Sequence, residues 1–357
     1  MQDSLQQFVE TVNGTSHLRI EHDFGGGFVR LQTSEAERRQ AAQDIKCTED
    51  IVLELMRNSR DAHAAHVFIA MSKDGVKRHL TVIDDGEGIP NNMHERVFEP
   101  RVTSKLDTSH MDAWGLHGRG MALFSISVNA KDARVMASDP GKGCSILVET
   151  DVSKLTEKTD QSSFPTFVMT DQNVVSVRGP RNILRTACEF AIDCRSQCSI
   201  YVGSPAEICS TIFNYGLATL STIDRLFCCD SSTLPITKRL ATAKSPKDLS
   251  AMAAEIGLMI SERTARRIID GQIGVLSQIL DNVSIANRTQ SERTEKRASK
   301  RRANLSLLPE DKKLMASRVM EGFEEIAERY YLNSNVEPSI QVRSERIVIS
   351  IPVVKLP

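Results

Sequence analysis

The segment Glu54-Leu-Met-Arg-Asn-Ser-Arg-Asp-Ala holds the first residues whose types and spacing could do chemistry. Residues three and four apart are neighbours on a helix, so Glu54, Asn58 and Asp61 share one face. A carboxylate and an amide stacked in this way can hold a water molecule and a hydrated Mg²⁺, because Mg²⁺ takes few protein oxygens and fills its remaining shell with water and phosphate. The alternative, for an asparagine on a helix, is a solvated surface position.

A second segment, Asp84-Asp-Gly-Glu-Gly-Ile-Pro, places an acid at the end of a strand and two glycines close behind it. The Asp84 carboxylate can accept a hydrogen bond from an exocyclic amine, while Gly86 and Gly88 let a flat ring approach the backbone. By itself, such a segment is usually an ordinary turn.

A third segment, "GLHGRGMAL" at residues 115–123, has three glycines directly before an apolar, helical stretch. Gly118 and Gly120 can direct backbone N–H groups to a phosphate at the start of that helix. The order and spacing of the three segments together predict a nucleotide site.

Helices and strands must bring these segments together. Residues 34–64 predict a helix, with apolar residues at helical spacing between positions 51 and 56 behind a Thr48 cap. Apolar runs with turns between them predict strands at 66–71, 79–84, 133–137 and 145–149. The predicted fold is α+β, with helices over a mixed sheet.

Residues 45–150 resemble the GHKL ATPase superfamily, which includes gyrase, the heat-shock chaperone of the ninety-kilodalton class, histidine kinases and MutL. "ELMRNSRDA" is similar to the family's asparagine box, "DDGEGI" to its first glycine box and "GLHGRGMALFSIS" to its second. "VTSK" resembles the lid segment of MutL, and "VFEPRVTSK" and "DPGKG" also resemble segments of histidine kinases. The resemblance implies a GHKL, Bergerat-type α/β sandwich that binds ATP and Mg²⁺.

The resemblance also implies a role for each matching residue. Glu54 would be the general base that activates water, Asn58 the Mg²⁺ ligand and Asp84 the acid that recognises adenine. The other residues expected to contact the nucleotide are Asp61, Gly86, Gly88, Lys105, Gly115, His117, Gly118, Gly120 and Ser145. Of these, Lys105 belongs to the lid segment, and residues 115–120 would surround the phosphates.

The chain departs from the family's pattern at two places. Where many members have threonine after the last glycine, this chain has Cys144 and then Ser145, so the sequence departs from the family at the hydrogen bond on the adenine side. Ala122 replaces the last glycine that is typical of the kinases.

An acid at position 54 favours hydrolysis over phosphotransfer. Histidine kinases usually have asparagine there, because they pass phosphate to a histidine and must not lose it to water. A kinase also needs a phosphoacceptor histidine on a helical hairpin, and Gly25-Gly-Gly interrupts the residues before the ATPase segment. We predict an ATPase that couples nucleotide binding and hydrolysis to conformational change. The alternatives are a histidine-kinase-type phosphotransferase and an ATP-responsive DNA-binding regulator.

Three regions are expected along the chain. They are the GHKL ATP-binding domain at 1–155, an α/β transducer-like region at 165–230, and a mostly helical region with closing strands at 235–357. Hydrolases of this branch take a phosphate-binding lysine from a transducer domain. Residues 174–215 contain no recognisable lysine motif, and Arg178 is the nearest candidate, with a structural role as the alternative.

Residues 248–271 resemble a helix-turn-helix, with Gly257 in the turn and Ser261 as the cap of the second helix. The basic residues that this second helix would expose are Arg263, Arg266 and Arg267. They could contact phosphates or base edges in a major groove, and the basic residues 288–302 could add phosphate contacts. Duplex DNA is therefore an expected partner, and the alternative is an ordinary helical pair with a solvated basic face.

Composition limits the class of protein. The 357 residues carry a net charge of −1 and are 40% hydrophobic, which is typical of a soluble globular protein. No apolar run approaches the roughly 18 residues of a membrane span, and the N-terminus lacks a secretion signal. We therefore expect a cytoplasmic protein without a membrane partner, with its eight cysteines as buried reduced thiols.

Two assemblies are expected alongside ATP binding. The sequence shows no strand-cleaving tyrosine or nuclease metal cluster, so any DNA cutting would need a separate catalytic subunit. An ATP-dependent homodimer is the other candidate assembly.

Overall fold

The computed structural model describes residues 20–104, 110–112, 115–117, 120–169, 175–228, 230–283, 285–287, 309–342 and 347–354. The chain divides into two compact units. The first comprises residues 1–167 and 176–285, and the second comprises residues 168–175 and 286–357.

Strands are numbered along the chain. They are β1 (Ile20–Gly25), β2 (Phe28–Leu31), β3 (His66–Asp74), β4 (Lys77–Asp84), β5 (Val102–Thr103), β6 (His110–Asp112), β7 (Gly115–His117), β8 (Asp132–Ser138), β9 (Cys144–Asp151), β10 (Thr166–Met169), β11 (Val175–Arg178), β12 (Ser199–Gly203), β13 (Ile285–Asn287), β14 (Ser339–Val342) and β15 (Ile347–Ser350).

Helices are numbered in the same way. They are α1 (Glu35–Asp44), α2 (Thr48–Asp61), α3 (Ala122–Asn129), α4 (Ile183–Asp193), α5 (Pro205–Thr219), α6 (Thr222–Phe227), α7 (Ile236–Arg239), α8 (Pro246–Glu255), α9 (Glu262–Ile269) and α10 (Pro309–Tyr330). Short 3-10 turns occupy Asn91–Met93, Arg96–Phe98, Ser231–Thr233, Leu240–Thr242 and Ile279–Asn282.

A five-stranded sheet in the order β12-β3-β4-β9-β8 forms the centre of the first unit. Strand β12 pairs with β3 in parallel, and the other neighbours pair antiparallel. The predicted α+β fold with a mixed sheet is confirmed. The predicted strands at 66–71, 79–84, 133–137 and 145–149 are β3, β4, β8 and β9, each slightly longer than expected.

Helices α2, α3 and α4 cover one face of this sheet. On α2, the predicted apolar positions 51, 52, 55 and 56 are all fully buried. They pack with alternate strand residues such as Val67, Ile69 and Val82 in one core, because successive strand side chains point to opposite faces.

Helices α5, α7, α8 and α9 cover the other face. Their apolar residues pack against Phe68, Ala70 and Ile83, which lie between the strand residues of the first core. The sheet is therefore buried on both faces, and residues from the second half of the chain supply the whole second layer.

Strand β12 extends the sheet from a segment more than a hundred residues beyond β3. Its residues Ser199–Gly203 run beside the first five residues of β3. The expected transducer-like region at 165–230 thus supplies the edge strand of the five-stranded sheet. The division into regions 1–155, 165–230 and 235–357 stays a prediction.

The helix expected over 34–64 is interrupted. Helix α1 ends at Asp44, and α2 starts at Thr48 with Cys47 as its N-cap, in place of the predicted Thr48 cap. The amides of Lys46 and Cys47 donate to the Asp50 carboxylate at 2.8 and 3.1 Å, so they leave the helical hydrogen-bonding pattern.

Several strands lie outside the five-stranded sheet. Strands β1, β2 and β5 form a three-stranded sheet in the order β1-β2-β5, and β6 pairs with β7. In the second unit, β14 and β15 form an antiparallel pair beside α10. Within the described ranges, no helix combines the length and the apolar character that crossing a membrane requires.

Candidate functional site

Helix α2 and the end of strand β4 form one wall of an open cavity. The apolar face of α2 packs on the sheet, so the adjacent face carries its polar residues to the cavity. The predicted site residues that line this cavity are Glu54, Asn58, Asp61, Asp84, Gly88 and Gly120. The structure therefore brings together residues from all three sequence segments.

The Glu54 carboxylate forms an ion pair with the Arg57 guanidinium, one turn further along α2. The Glu54 side chain is 20% exposed and the Arg57 side chain is 7% exposed. The guanidinium restricts the orientation of the Glu54 carboxylate within the cavity wall.

Asn58 lies one turn beyond Glu54 on the same face of α2. Its amide nitrogen Nδ2 is buried, and no acceptor meets it in the part of the chain that the structure describes. A buried donor without an acceptor is costly, so this atom suits a ligand that brings an oxygen.

Asp61 ends α2 at the edge of the cavity. Its Oδ1 accepts a hydrogen bond from Nε of Arg60 at 3.0 Å, and the Asp61 side chain is 12% exposed. Together with the oxygen of the Asn58 side chain, the carboxylates of Glu54 and Asp61 give this face the oxygen donors that Mg²⁺ prefers.

Asp84 is buried at the inner end of the cavity. The Ser59 hydroxyl donates to one carboxylate oxygen at 2.8 Å, and the Gly86 amide donates to the other at 2.9 Å. Burial raises the pKa of Asp84 to about 6, although both of these hydrogen bonds act in the opposite direction. The carboxylate is thus fixed in place before any ligand arrives.

The glycines after Asp84 are needed for close backbone packing. A Cβ at Gly88, which has φ of +74°, would overlap the carbonyl of Asp139, and one at Gly143, with φ of +83°, would overlap the carbonyl of Asp84. The Gly143 amide donates to the carbonyl of Gly86 at 3.1 Å. The turn between β8 and β9 is therefore locked to the glycine loop through main-chain atoms.

The phosphate-side residues are described only in part. Gly120 has φ of +68° and lines the cavity. Gly115 and His117 lie in strand β7, where only the backbone is described, and Lys105 and Gly118 lie outside the described residues.

Ser145 faces away from the cavity. Neighbouring Cys144 lines the cavity, and strand alternation turns Ser145 to the opposite face of the sheet. There its hydroxyl donates to the carbonyl of Ile256 at 2.8 Å, and the residue is fully buried. This position corrects the expectation that Ser145 contacts the nucleotide.

Sequence reasoning missed Ser59 and Gly143. Ser59 lies one turn after the buried Leu55, so helical periodicity could have placed it beside the core and next to Asp84. Gly143 follows the Asp-Pro-Gly-Lys turn, and nothing local in the sequence indicates that it packs on the carbonyl of Asp84.

A segment in the first half of the chain matches a known family. Residues 43–154 match the family described as Histidine kinase-, DNA gyrase B-, and HSP90-like ATPase. DNA mismatch repair protein MutL of Staphylococcus aureus strain Newman is 35% identical over 128 residues, which are 35% of this chain and 19% of MutL. MutL of strain JH1 matches to the same extent. The chain thus spans about a fifth of the length of the curated relatives it matches.

Two solved structures show weak similarity. One is described as the crystal structure of the N-terminal domain of a DNA repair protein, with a TM-score of 0.26 and 17% identity, covering 47% of this chain and 52% of that chain. The other is full-length ShkA in complex with AMPPNP, with a TM-score of 0.22 and 16% identity, covering 57% of this chain and 46% of that chain.

Proposed function

We propose that this protein binds ATP with Mg²⁺ in the cavity beside α2 and hydrolyses it. The match of residues 43–154 to the Histidine kinase-, DNA gyrase B-, and HSP90-like ATPase family supports this proposal. The observation that carries the proposal is the convergence of Glu54, Asn58 and Asp84 on one cavity. The oxygen donors on α2 and the buried Asn58 Nδ2 both fit a magnesium-bound phosphate chain.

Asp84 would recognise the adenine. Its carboxylate would accept a hydrogen bond from the exocyclic amine, with Ser59 and Gly86 holding it in position. A group that is already oriented loses little freedom on binding, which favours affinity. Gly88 lines the cavity beside Asp84. The space that side chains at Gly86 and Gly88 would need is filled by Ala62 and Asp139, so these glycines hold the loop in place around Asp84.

Asn58 would hold Mg²⁺ through its side-chain oxygen, with Asp61 as a second oxygen donor at the same wall. When bound, Mg²⁺ neutralises negative charge on the phosphate oxygens. Asn58 Nδ2 would donate to a phosphate or water oxygen. Gly120 and the segment with Lys105, Gly115, His117 and Gly118 remain the proposed phosphate contacts.

Glu54 would act as the general base. Its carboxylate would take a proton from the water that attacks the terminal phosphate, a role that an ionisable group within hydrogen-bonding reach of that water can fill. The ion pair with Arg57 would hold the carboxylate in one orientation for this transfer.

Steady-state phosphate release tests the hydrolysis. The full chain with ATP and MgCl₂ should release phosphate, and Glu54→Ala should abolish release while calorimetry still detects ATP binding. Glu35→Gln is a matched control, because it removes an exposed acid on α1, away from the cavity. Absence of release by the unmodified chain, or release that survives Glu54→Ala, would exclude hydrolysis through Glu54. An acid-labile phosphoprotein after incubation with labelled ATP would instead favour the histidine-kinase alternative.

Duplex DNA is the second proposed partner, because the surface of α9 has the required charge. Helix α9 buries Ala265 and Ile268, whereas its arginines face solvent. The exposed arginines are Arg263, Arg266 and Arg267. Ser261 caps α9, since its hydroxyl accepts the Thr264 amide at 3.2 Å. Exposed arginines on one helix suit phosphates or base edges.

Binding of a labelled duplex at low salt tests this partner. Alanine at all three arginines should weaken binding and flatten its salt dependence, because fewer counterions are then released. The control removes three exposed cations elsewhere, at Arg38, Arg39 and Lys46. An equal loss of duplex affinity in both variants would indicate that binding depends on the net charge of the protein and not on α9. Absence of duplex binding by the unmodified chain would exclude the DNA role. Light scattering with and without ATP tests the proposed homodimer.

A further inference from the structure

Two cysteines flank the turn between α4 and β12. Cys194 is the C-cap of α4, and Cys198 directly precedes β12. The Cys198 amide donates to the Cys194 carbonyl at 3.1 Å. This hydrogen bond joins residues four apart, as in one turn of a helix. The Cα atoms of residues in such a turn are close enough for a disulfide, which requires a Cα–Cα distance of roughly 4.4–6.8 Å.

A guanidinium lies beside one of these sulfurs. Arg60 Nη1 is 4.0 Å from the Cys194 sulfur. The same guanidinium donates through Nε to Asp61 and lies over the ring of Phe190, which fixes its position. A cation at this distance favours the thiolate form of a cysteine.

The pair differs in ionisation from the other cysteines. A hydrogen bond from the Cys198 thiol, together with the Arg60 guanidinium, holds the pKa of Cys194 below its ordinary value. The same interaction raises the pKa of Cys198. At four other described cysteines burial raises the pKa, and these are Cys47, Cys144, Cys188 and Cys209.

Both cysteines are buried on either side of an exposed turn. Cys194 is 3% exposed and Cys198 is 7% exposed, but the residues between them, 195–197, are all exposed. Movement of this three-residue turn would open both sulfurs to a small reagent without disturbing the sheet.

We propose that Cys194 and Cys198 form a reactive dithiol whose substrate is a small disulfide such as oxidised glutathione. The Cys194 thiolate attacks one sulfur of the small disulfide, so a mixed disulfide forms and one glutathione thiolate leaves. Cys198 then loses its proton and attacks the Cys194 sulfur, so the protein disulfide forms and the second glutathione leaves. The two protein thiols are oxidised, the small disulfide is reduced to two thiols, and the protein's thiol protons pass to the leaving groups.

Tryptic mass spectrometry tests this proposal, because trypsin cleaves after Arg195, between the two cysteines. A disulfide would therefore hold two tryptic peptides together. Cys188 and Cys209 lie in the same two peptides, so the full chain with Cys188→Ser and Cys209→Ser assigns the bond without ambiguity. Fragmentation of the linked peptides from the unmodified chain gives the same assignment if these substitutions impair folding.

We expect the linked peptides after incubation with oxidised glutathione, and their loss after dithiothreitol. At neutral pH, iodoacetamide should alkylate Cys194 about tenfold faster than Cys188, and Arg60→Gln should reduce this difference while Arg60→Lys retains it. A glutathione adduct that persists on Cys194 without linked peptides, or equal alkylation of Cys194 and Cys188, would overturn the proposal. The test uses no nucleotide, so its outcome is independent of the proposed ATPase activity.

Discussion

Arg57 pairs with Glu54 across one turn of α2, in the wall of the cavity where ATP is proposed to bind. Both charges are largely withdrawn from water, so the ion pair offsets part of the cost of burying each of them. The ion pair thereby holds the carboxylate of the proposed base against α2, the helix that also carries the proposed magnesium ligand.

Replacement of Arg57 alone should destabilise the protein. Arg57→Met leaves the Glu54 carboxylate largely buried without this cation, which should lower the free energy of unfolding by about 2–3 kcal/mol. In Glu54→Gln/Arg57→Met neither charge of this ion pair remains, so most of that loss should be recovered. Urea unfolding of the two single variants and the double variant measures the coupling. Additive effects of the two substitutions would contradict the dependence of one charge on the other.

Asn58 should matter for ligand binding more than for stability. Asn58→Ala should weaken magnesium-dependent ATP binding at least about tenfold, because the side-chain oxygen ligand is lost. Its buried Nδ2 meets no acceptor among the described residues, so the free energy of unfolding should stay nearly unchanged. Asn58→Asp keeps an oxygen and should retain magnesium-dependent binding. Calorimetry with ATP and MgCl₂ measures the affinity, and equal affinities for the two variants would contradict the role.

The raised pKa of Asp84 should make stability depend on pH. Burial raises the pKa of Asp84 from 3.8 to about 6, so the native state keeps a proton that the unfolded state has lost between these values. This contribution to stability is complete below pH 4 and is lost as pH rises through 6, by about 3 kcal/mol in total. Unfolding measured from pH 4 to pH 7 should show this loss in the unmodified chain relative to Asp84→Asn. If the difference in the free energy of unfolding between the two proteins stays constant across that range, a contribution from Asp84 is excluded.

At Gly88, the steric cost of an added side chain should exceed the cost of placing that side chain on a backbone with positive φ. Gly88 and Gly141 have nearly the same φ, +74° and +73°, but a Cβ at Gly141 meets no described atom within 4 Å. Both alanine substitutions carry the cost of a positive φ, of about 1–2 kcal/mol. Gly88→Ala should cost about 2 kcal/mol more, because the Asp139 carbonyl must move. Thermal unfolding compares the pair, and ATP affinity should fall only for Gly88→Ala.

Ser145 should contribute to stability without contributing to ATP binding. Ser145→Ala removes the hydroxyl that donates to the Ile256 carbonyl. The substitution should therefore lower the free energy of unfolding by about 1–2 kcal/mol. Because Ser145 lies on the face opposite the cavity, ATP affinity should not change. A clear loss of ATP affinity in calorimetry would contradict this prediction and indicate that Ser145 contributes to the nucleotide site.

Local patterns in the sequence were sufficient for the elements near the site. Apolar spacing indicated the buried face of α2, and the same spacing placed Glu54 and Asn58 on the adjacent face. The strands before and after Lys73-Asp-Gly were equally clear, because each is an apolar run bounded by turn residues.

Long-range pairing was not available from such patterns. The apolar residues of β12 indicate a buried strand, but nothing local indicates that it pairs with β3. Likewise, the sequence indicates that α5, α8 and α9 each have an apolar face that must be buried. It does not indicate that these faces pack on the second face of this sheet.

The assignment of Ser145 depended on the register of one strand. Asp84 pairs with Cys144 and Ile83 pairs with Ser145, so a shift by one residue exchanges the side chain that faces the cavity. A family pattern that expects a hydroxyl near this point cannot distinguish the two neighbours, and only the pairing does so.

The main-chain lock between the Gly86–Gly88 loop and the turn before Gly143 limits how ligand selectivity can be redesigned. Because carbonyl and amide groups form this contact, replacing side chains there can break the loop but cannot tune which base it accepts. In the proposed nucleotide site, an altered preference would have to come from Asp84 and from Ser59, whose hydroxyl orients the Asp84 carboxylate, or from a change in the length of the turn.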